Sequence, residues 1–164
     1  MNPKKILIAV DGSENSIRAV QYVAEMAACS DAFSVQLLCI ERFPDRDLFP
    51  DEASWKTRCE EQSAEMRQFL EDCRDTLLAK GLRAEAISER YIVSCKSPFA
   101  DRNVTQCSMG TSIAQEILNA AKEGGFGTLV VGRRGVSKAE MFLFGSVSNK
   151  IIHHAKGCAV WVVA

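Results

Sequence analysis

Five short apolar runs punctuate the chain, and between them apolar residues recur at helical spacing. The run Lys5 to Val10 reads as a strand covered on both faces of a parallel sheet. Asp11-Gly12-Ser13 ends it, and Ser13 or a neighbour can cap a helix whose buried face is marked by Ile17, Val20, Val23, Ala24 and Ala27. Val35 to Ile40 forms a second strand. Phe43 to Pro50 carries two prolines and three charges and reads as a loop. A long helix follows from about Asp51 to Lys80, with Trp55, Cys59, Met66, Leu70, Cys73 and Leu77 on its core face and Gly81 as its stop.

The third strand lies within Arg83 to Val93, where alternation at Ala84, Ala86, Tyr91 and Val93 suggests a more exposed sheet edge. Ser94 to Met109 is a polar connection with Pro98, Cys95 and Cys107, and no periodicity. Ser112 and Gln115 fit a capping box for a helix that buries Ile113, Ile117, Leu118 and Ala121 and stops at Gly124-Gly125. Thr128 to Val131 is the fourth strand and breaks at Gly132-Arg133-Arg134-Gly135. Gly145-Ser146-Val147-Ser148 then opens a helix running through Ile151, Ile152 and Ala155, and Gly157-Cys158 leads into the last strand, Ala159 to Val163. Strands alternating with helices predict an α/β fold: an open parallel sheet with helices on both faces.

A chain of 164 residues with 47% hydrophobic content suits a single domain over residues 1–164 with one sizeable core. Lys plus Arg is 20 and Asp plus Glu is 21, so the formal charge of -1 offers no basic field for nucleic acid. No apolar run approaches a membrane span, and the one after the basic Met1 to Lys5 is too short for a signal core, so a cytoplasmic location is expected. Seven cysteines without a Cys-x-x-Cys give neither a zinc ribbon nor an evident disulfide framework. Two unlinked thiols are the plain expectation for Cys95 and Cys107, with a reversible disulfide altering their loop as the alternative.

The chemistry concentrates between Thr128 and His154. A strand, a glycine-rich turn and a helix start make an anion site, because glycines admit the backbone and the first N–H groups of the helix point outward. Ser146 and Ser148 add hydroxyls, and Arg133 and Arg134 add positive charge. Neither the Walker nor the Rossmann glycine pattern is present. The adjacent His153 and His154 project in different directions and do not clasp one metal; a role at the helix's terminal carbonyls fits them better. Met141 to Phe144 reads as packing beneath the loop, with a nucleotide-dependent partner patch as the alternative.

The spacing Gly132-x2-Gly135-x9-Gly145-Ser146 resembles the signature of the ATP-binding branch of the universal stress protein family, and Val10-Asp11-Gly12-Ser13 resembles that family's first nucleotide-contacting turn. The resemblance spans nearly the whole chain and implies strand order 3-2-1-4-5. It further implies that Asp11 and the main chain near Ala9 and Ile40 hold the adenosine end, and that Val131 and Gly132 line the ribose. On the same ground Gly135, Gly145, Ser146, Val147 and Ser148 donate to the phosphates, Arg133 adds charge, and ATP, ADP or AMP binds with magnesium as counter-ion. A cap of the following helix is the competing role for Asp11. The connection at 94–110 is longer than is common in the family, and Ala159 stands where the family often has proline.

An apolar edge strand without blocking charges, Ala159 to Val163, suits two-fold antiparallel pairing into a homodimer, to which the resemblance also points. These features predict an ATP-binding regulatory protein of the stress-response type, acting as a nucleotide-dependent dimeric interaction module for an unnamed protein partner. The alternatives are a nucleotide-independent module, a slow ATP hydrolase, or an adenylating enzyme. The motif supplies no residue that orients an attacking water, so no catalytic residue is assigned and hydrolysis is expected to be slow or absent.

Overall fold

The computed structural model describes residues 2–99, 107–109, 112–134 and 145–164. Its strands are β1 (Asn2–Val10), β2 (Ser34–Ile40), β3 (Ile87–Ile92), β4 (Phe126–Gly132) and β5 (Ala159–Val163), and its helices are α1 (Glu14–Ala27), α2 (Glu52–Ala79), α3 (Ile113–Glu123) and α4 (Ser146–His154). All strand pairs are parallel, in the order β3-β2-β1-β4-β5. The predicted fold class and strand order therefore hold.

Alternation along the central strands divides the core into two layers. Ile6, Ile8 and Val10 of β1 point to the side covered by α1 and α2, where they join Val20, Val23, Leu70 and Leu77. Leu7 and Ala9 point to the other side, with Ile117 of α3 and Ile151 of α4. Ile6, Leu7 and Ile8 are all fully buried, which is why this stretch is apolar without interruption.

Helix starts are set by short polar side chains. Ser13 caps α1 by accepting from the Ser16 N–H, Asp51 caps α2 by accepting from the Ser54 N–H at 2.7 Å, and Ser112 caps α3 by accepting from the Gln115 N–H. The capping box at α3 is only half formed: the Gln115 amide turns forward to Asn119 Oδ1 at 2.9 Å. An i,i+4 bond along the helix has replaced the reach back to the cap.

Other expectations need correction. Ile17 is 42% exposed and Ile152 is 41% exposed, so neither belongs to its helix's core face. One full turn from Ser13, Ile17 lies outside the stripe of Ala19, Val20, Val23, Ala24 and Ala27; Ile151, fully buried, does the work expected of the Ile151-Ile152 pair. The third strand begins at Ile87, because Ala84–Ala86 forms a short 3-10 turn. A second 3-10 turn, Arg46–Leu48, lies in the proline-bounded loop. Gly110, Thr111, Gly135 and Met141 to Phe144 fall outside the described residues.

Candidate nucleotide crevice at the strand tips

The parallel register sets Ala9 beside Val131 and Val10 beside Cys39. Asp11 and Arg133 each lie two residues beyond the Ala9–Val131 pair, at the same carboxyl edge of the sheet. From β1 the chain turns into α1 on one face; from β4 it leads to α4 on the other. Such a divergence between adjacent strands opens a crevice at their tips. Ala9, Ile40 and Val131 all belong to the layer on which α4 packs, so these three predicted site residues share one side of the sheet.

The acidic wall is a closed turn. Gly12 has φ of +79°, a left-handed conformation that a side chain disfavours. That turn brings the Ser13 hydroxyl to 2.6 Å and the Ser16 hydroxyl to 2.7 Å from Asp11 Oδ1, and both donate to it. Ser13, not Asp11, is the helix cap. Asp11 instead fixes the cap from outside, and it is an exposed residue at the crevice rim.

On the opposite wall the Arg133 carbonyl is the hub. It accepts from the Gly145 N–H at 2.9 Å and from the Ser148 hydroxyl at 2.8 Å, while the Arg133 N–H donates to Val163 O at 2.6 Å. The tip of β4 thereby holds the start of α4 and the end of β5. Ser148 is buried, and its hydroxyl also donates to Gly145 O at 3.0 Å. Its hydroxyl and the Gly145 N–H are thus used within the scaffold, which departs from the expectation that both face an anion. Ser146 is exposed and Val147 half-buried at the first turn of α4, and among the described residues no side chain caps that helix. The first-turn N–H groups of such a helix, together with its dipole, favour an anion. Arg133 Nε is buried without a hydrogen-bond partner among the described residues.

Gly132 has a packing role of its own. A Cβ there would lie 2.7 Å from Asn15 Cβ and 2.9 Å from the Asn15 carbonyl carbon, so the bare backbone is what lets α1 approach β4. At the far end of α4, His154 Nδ1 lies 2.8 Å from Lys150 O, in keeping with a role at the helix's terminal carbonyls. Among the described residues no group of three or more His, Cys, Asp or Glu could hold a metal ion.

A second polar cluster, outside the site residues the sequence singles out, surrounds Glu41. This buried carboxylate follows β2 as Asp11 follows β1, and that position immediately after an apolar strand was the available signal. Glu41 Oε1 accepts from the Ser63 and Tyr91 hydroxyls, each at 2.7 Å, and Oε2 accepts from the Ser94 N–H at 2.7 Å. Arg67 lies over the Tyr91 ring at 4.4 Å. Burial, and then the hydrogen bond to Glu41, raises the Tyr91 phenol above its usual range. The Cys39 thiol is pushed up to about 12, by burial first and then by the negative charges of Asp11 and Glu41. Cys95 and Cys107, expected to be unlinked, form a disulfide.

These features define an open α/β sheet protein with an anion-compatible crevice between the first and fourth strand tips. The model of the universal stress protein family matches residues 2–164, and the chain belongs to that family. Universal stress protein YxiE of Bacillus subtilis (strain 168) is 28% identical over 173 residues, covering 97% of both chains. Among solved structures, MJ0577, whose biochemical function was assigned from structure, aligns with a TM-score of 0.71 at 20% identity over 99% of this chain and 96% of its own. A universal stress protein in complex with cAMP aligns at 0.62 with 22% identity, covering 98% and 95%. The Archaeoglobus fulgidus universal stress protein in complex with dAMP aligns at 0.62 with 18% identity, covering 98% and 97%. At these identities the structural likeness speaks for the fold.

Proposed function

We propose that this chain is a single regulatory unit that binds an adenine nucleotide, ATP foremost, in the crevice between β1 and β4 and presents a nucleotide-dependent surface to a protein partner. The observation that carries the reading is the register: by pairing Ala9 with Val131 it brings the Asp11 turn and the start of α4 to one edge of the sheet. Asp11 accepts from the ribose or base, and the backbone near Ala9, Ile40, Val131 and Gly132 lines the adenosine. The N–H groups of Ser146, Val147 and Ser148, the Ser146 hydroxyl and Gly135 meet the phosphates, with Arg133 supplying charge. Gly145 and the Ser148 hydroxyl shape this wall through Arg133 O. Magnesium arrives with the phosphates and offsets their charge; the donor set of the wall itself suits the anion. The cAMP and dAMP complexes of the two structural relatives support an adenine ligand.

Two copies pair through β5 into a homodimer, with a cytoplasmic location. β5 stands at the sheet edge, its residues Val160 to Val163 half-buried.

Thermal melts with ATP, ADP and AMP, each with and without magnesium, test the ligand. A nucleotide at 100 times its dissociation constant adds about 2.7 kcal/mol of stability. No shift with any nucleotide would leave the nucleotide-independent module as the surviving reading, and phosphate release over hours would mark a hydrolase.

A further inference from the structure

We infer that Cys95 and Cys107 form a reversible thiol–disulfide site, opened and closed by a low-molecular-weight thiol–disulfide couple, whose state sets how firmly the segment after β3 is held to the crevice rim. The site stands apart from the nucleotide reading; only its consequence for a ligand rests on that reading.

The bond joins residues 12 apart in sequence and sits on a short parallel bridge between Ser94 and Ser108. Ser108 N–H donates to Val93 O at 2.7 Å, and Cys95 N–H donates to Ser108 O at 2.8 Å. Its neighbour Ser94 donates its N–H to the buried Glu41 carboxylate. Glu41 N–H in turn donates to Ile92 O at 2.9 Å, and Glu41 directly follows Ile40 of the candidate crevice. On the other side, the Ser108 hydroxyl donates to Glu116 of α3 at 2.8 Å. A continuous path therefore runs from the disulfide through Ser94 and Glu41 to the rim.

Cys107 is an exposed residue and Cys95 is half-buried, so an external thiolate has access to the bond. Attack on the Cys107 sulfur forms a mixed disulfide and expels Cys95 as a thiolate, which takes a proton from water. A second thiolate then attacks the external sulfur of that mixed disulfide and releases Cys107. Two electrons have moved: two protein thiols and one oxidised molecule of the couple result, and the reverse sequence closes the bond. The buried Cys39, Cys59 and Cys73 compete poorly, because burial holds each thiol protonated. Breaking the bond lengthens the untethered path between β3 and α3, which loosens the Ser94 anchor.

The test incubates the full chain in buffers of oxidised or reduced glutathione without denaturant. Alkylation with mass spectrometry then reads the linkage, and hydrogen exchange reads the amides of Ser94, Cys95 and Ser108. The expected result is a Cys95–Cys107 link in the oxidised buffer, two alkylated thiols in the reduced one, and exchange faster by roughly tenfold or more after reduction. A variant combining Cys95→Ser and Cys107→Ser should exchange fast in both buffers. Unlinked cysteines in the oxidised buffer, a bond that survives the reduced one, or equal exchange in the two states would each overturn the inference. Should the variant fail to fold, the wild-type comparison alone decides.

Discussion

Ser148 and Arg133, 15 residues apart, are joined by a hydroxyl-to-carbonyl hydrogen bond of 2.8 Å that fastens the first turn of α4 to the tip of β4. The contact makes Ser148 part of the scaffold before any ligand arrives. Removing a buried hydroxyl that serves two carbonyls costs about 1 to 2 kcal/mol. Ser148→Ala should therefore lower the Tm of the ligand-free protein by roughly 2 to 8 °C. Ser146→Ala, at an exposed position, should leave that Tm nearly unchanged. Thermal melts without nucleotide separate these roles, and equal melting of the two variants would contradict them.

Gly132 and Asn15 give the second expectation. With Asn15 Cβ only 2.7 Å from where a Cβ on Gly132 would stand, Gly132→Ala must push α1 away from β4. Overpacking of this kind costs about 1 to 3 kcal/mol. Denaturant titration of the ligand-free variant should show that loss. Unchanged stability would mean that this glycine serves only a ligand.

The third concerns pH. Tyr91 is half-buried and donates its hydroxyl to Glu41, so its folded pKa lies above the ordinary 10.0. A phenol whose pKa is raised on folding binds its proton more tightly in the folded state. The stability it contributes is complete below about pH 10 and is lost as pH rises from there through the folded value. In a Tyr22→Phe background, which leaves Tyr91 as the one tyrosine of the two in the chain, ultraviolet absorbance should show phenolate appearing only above pH 10. A midpoint at or below 10 would contradict the Glu41–Tyr91 hydrogen bond.

What could be read from the chain, and what could not, follows from the range of the forces involved. Burial on both faces writes itself into composition, so β1, β2 and β4 stood out as apolar runs, and local caps such as Ser13 and Ser112 were visible because their partners are three residues away. The role of Gly132 was not visible, because its reason is the backbone of Asn15, more than a hundred positions earlier. The role of Glu41 is hidden from the sequence for the same cause: its partners Ser63, Tyr91 and Ser94 come from a helix, a strand and a loop distant in sequence. Cys95 and Cys107 share one connection in the sequence, and among the described residues the Ser94–Ser108 bridge brings them together.

In the proposed function the Asp11 turn and the start of α4 grip one adenine nucleotide between them. Amide chemical shifts of the full chain, followed while ATP or AMP is titrated in with magnesium, test it most directly. Saturable changes are expected at Asp11, Ser146, Val147 and Ser148, sharing one dissociation constant. Saturating nucleotide that leaves these amides unmoved, or that moves only residues away from the tips of β1 and β4, would contradict it.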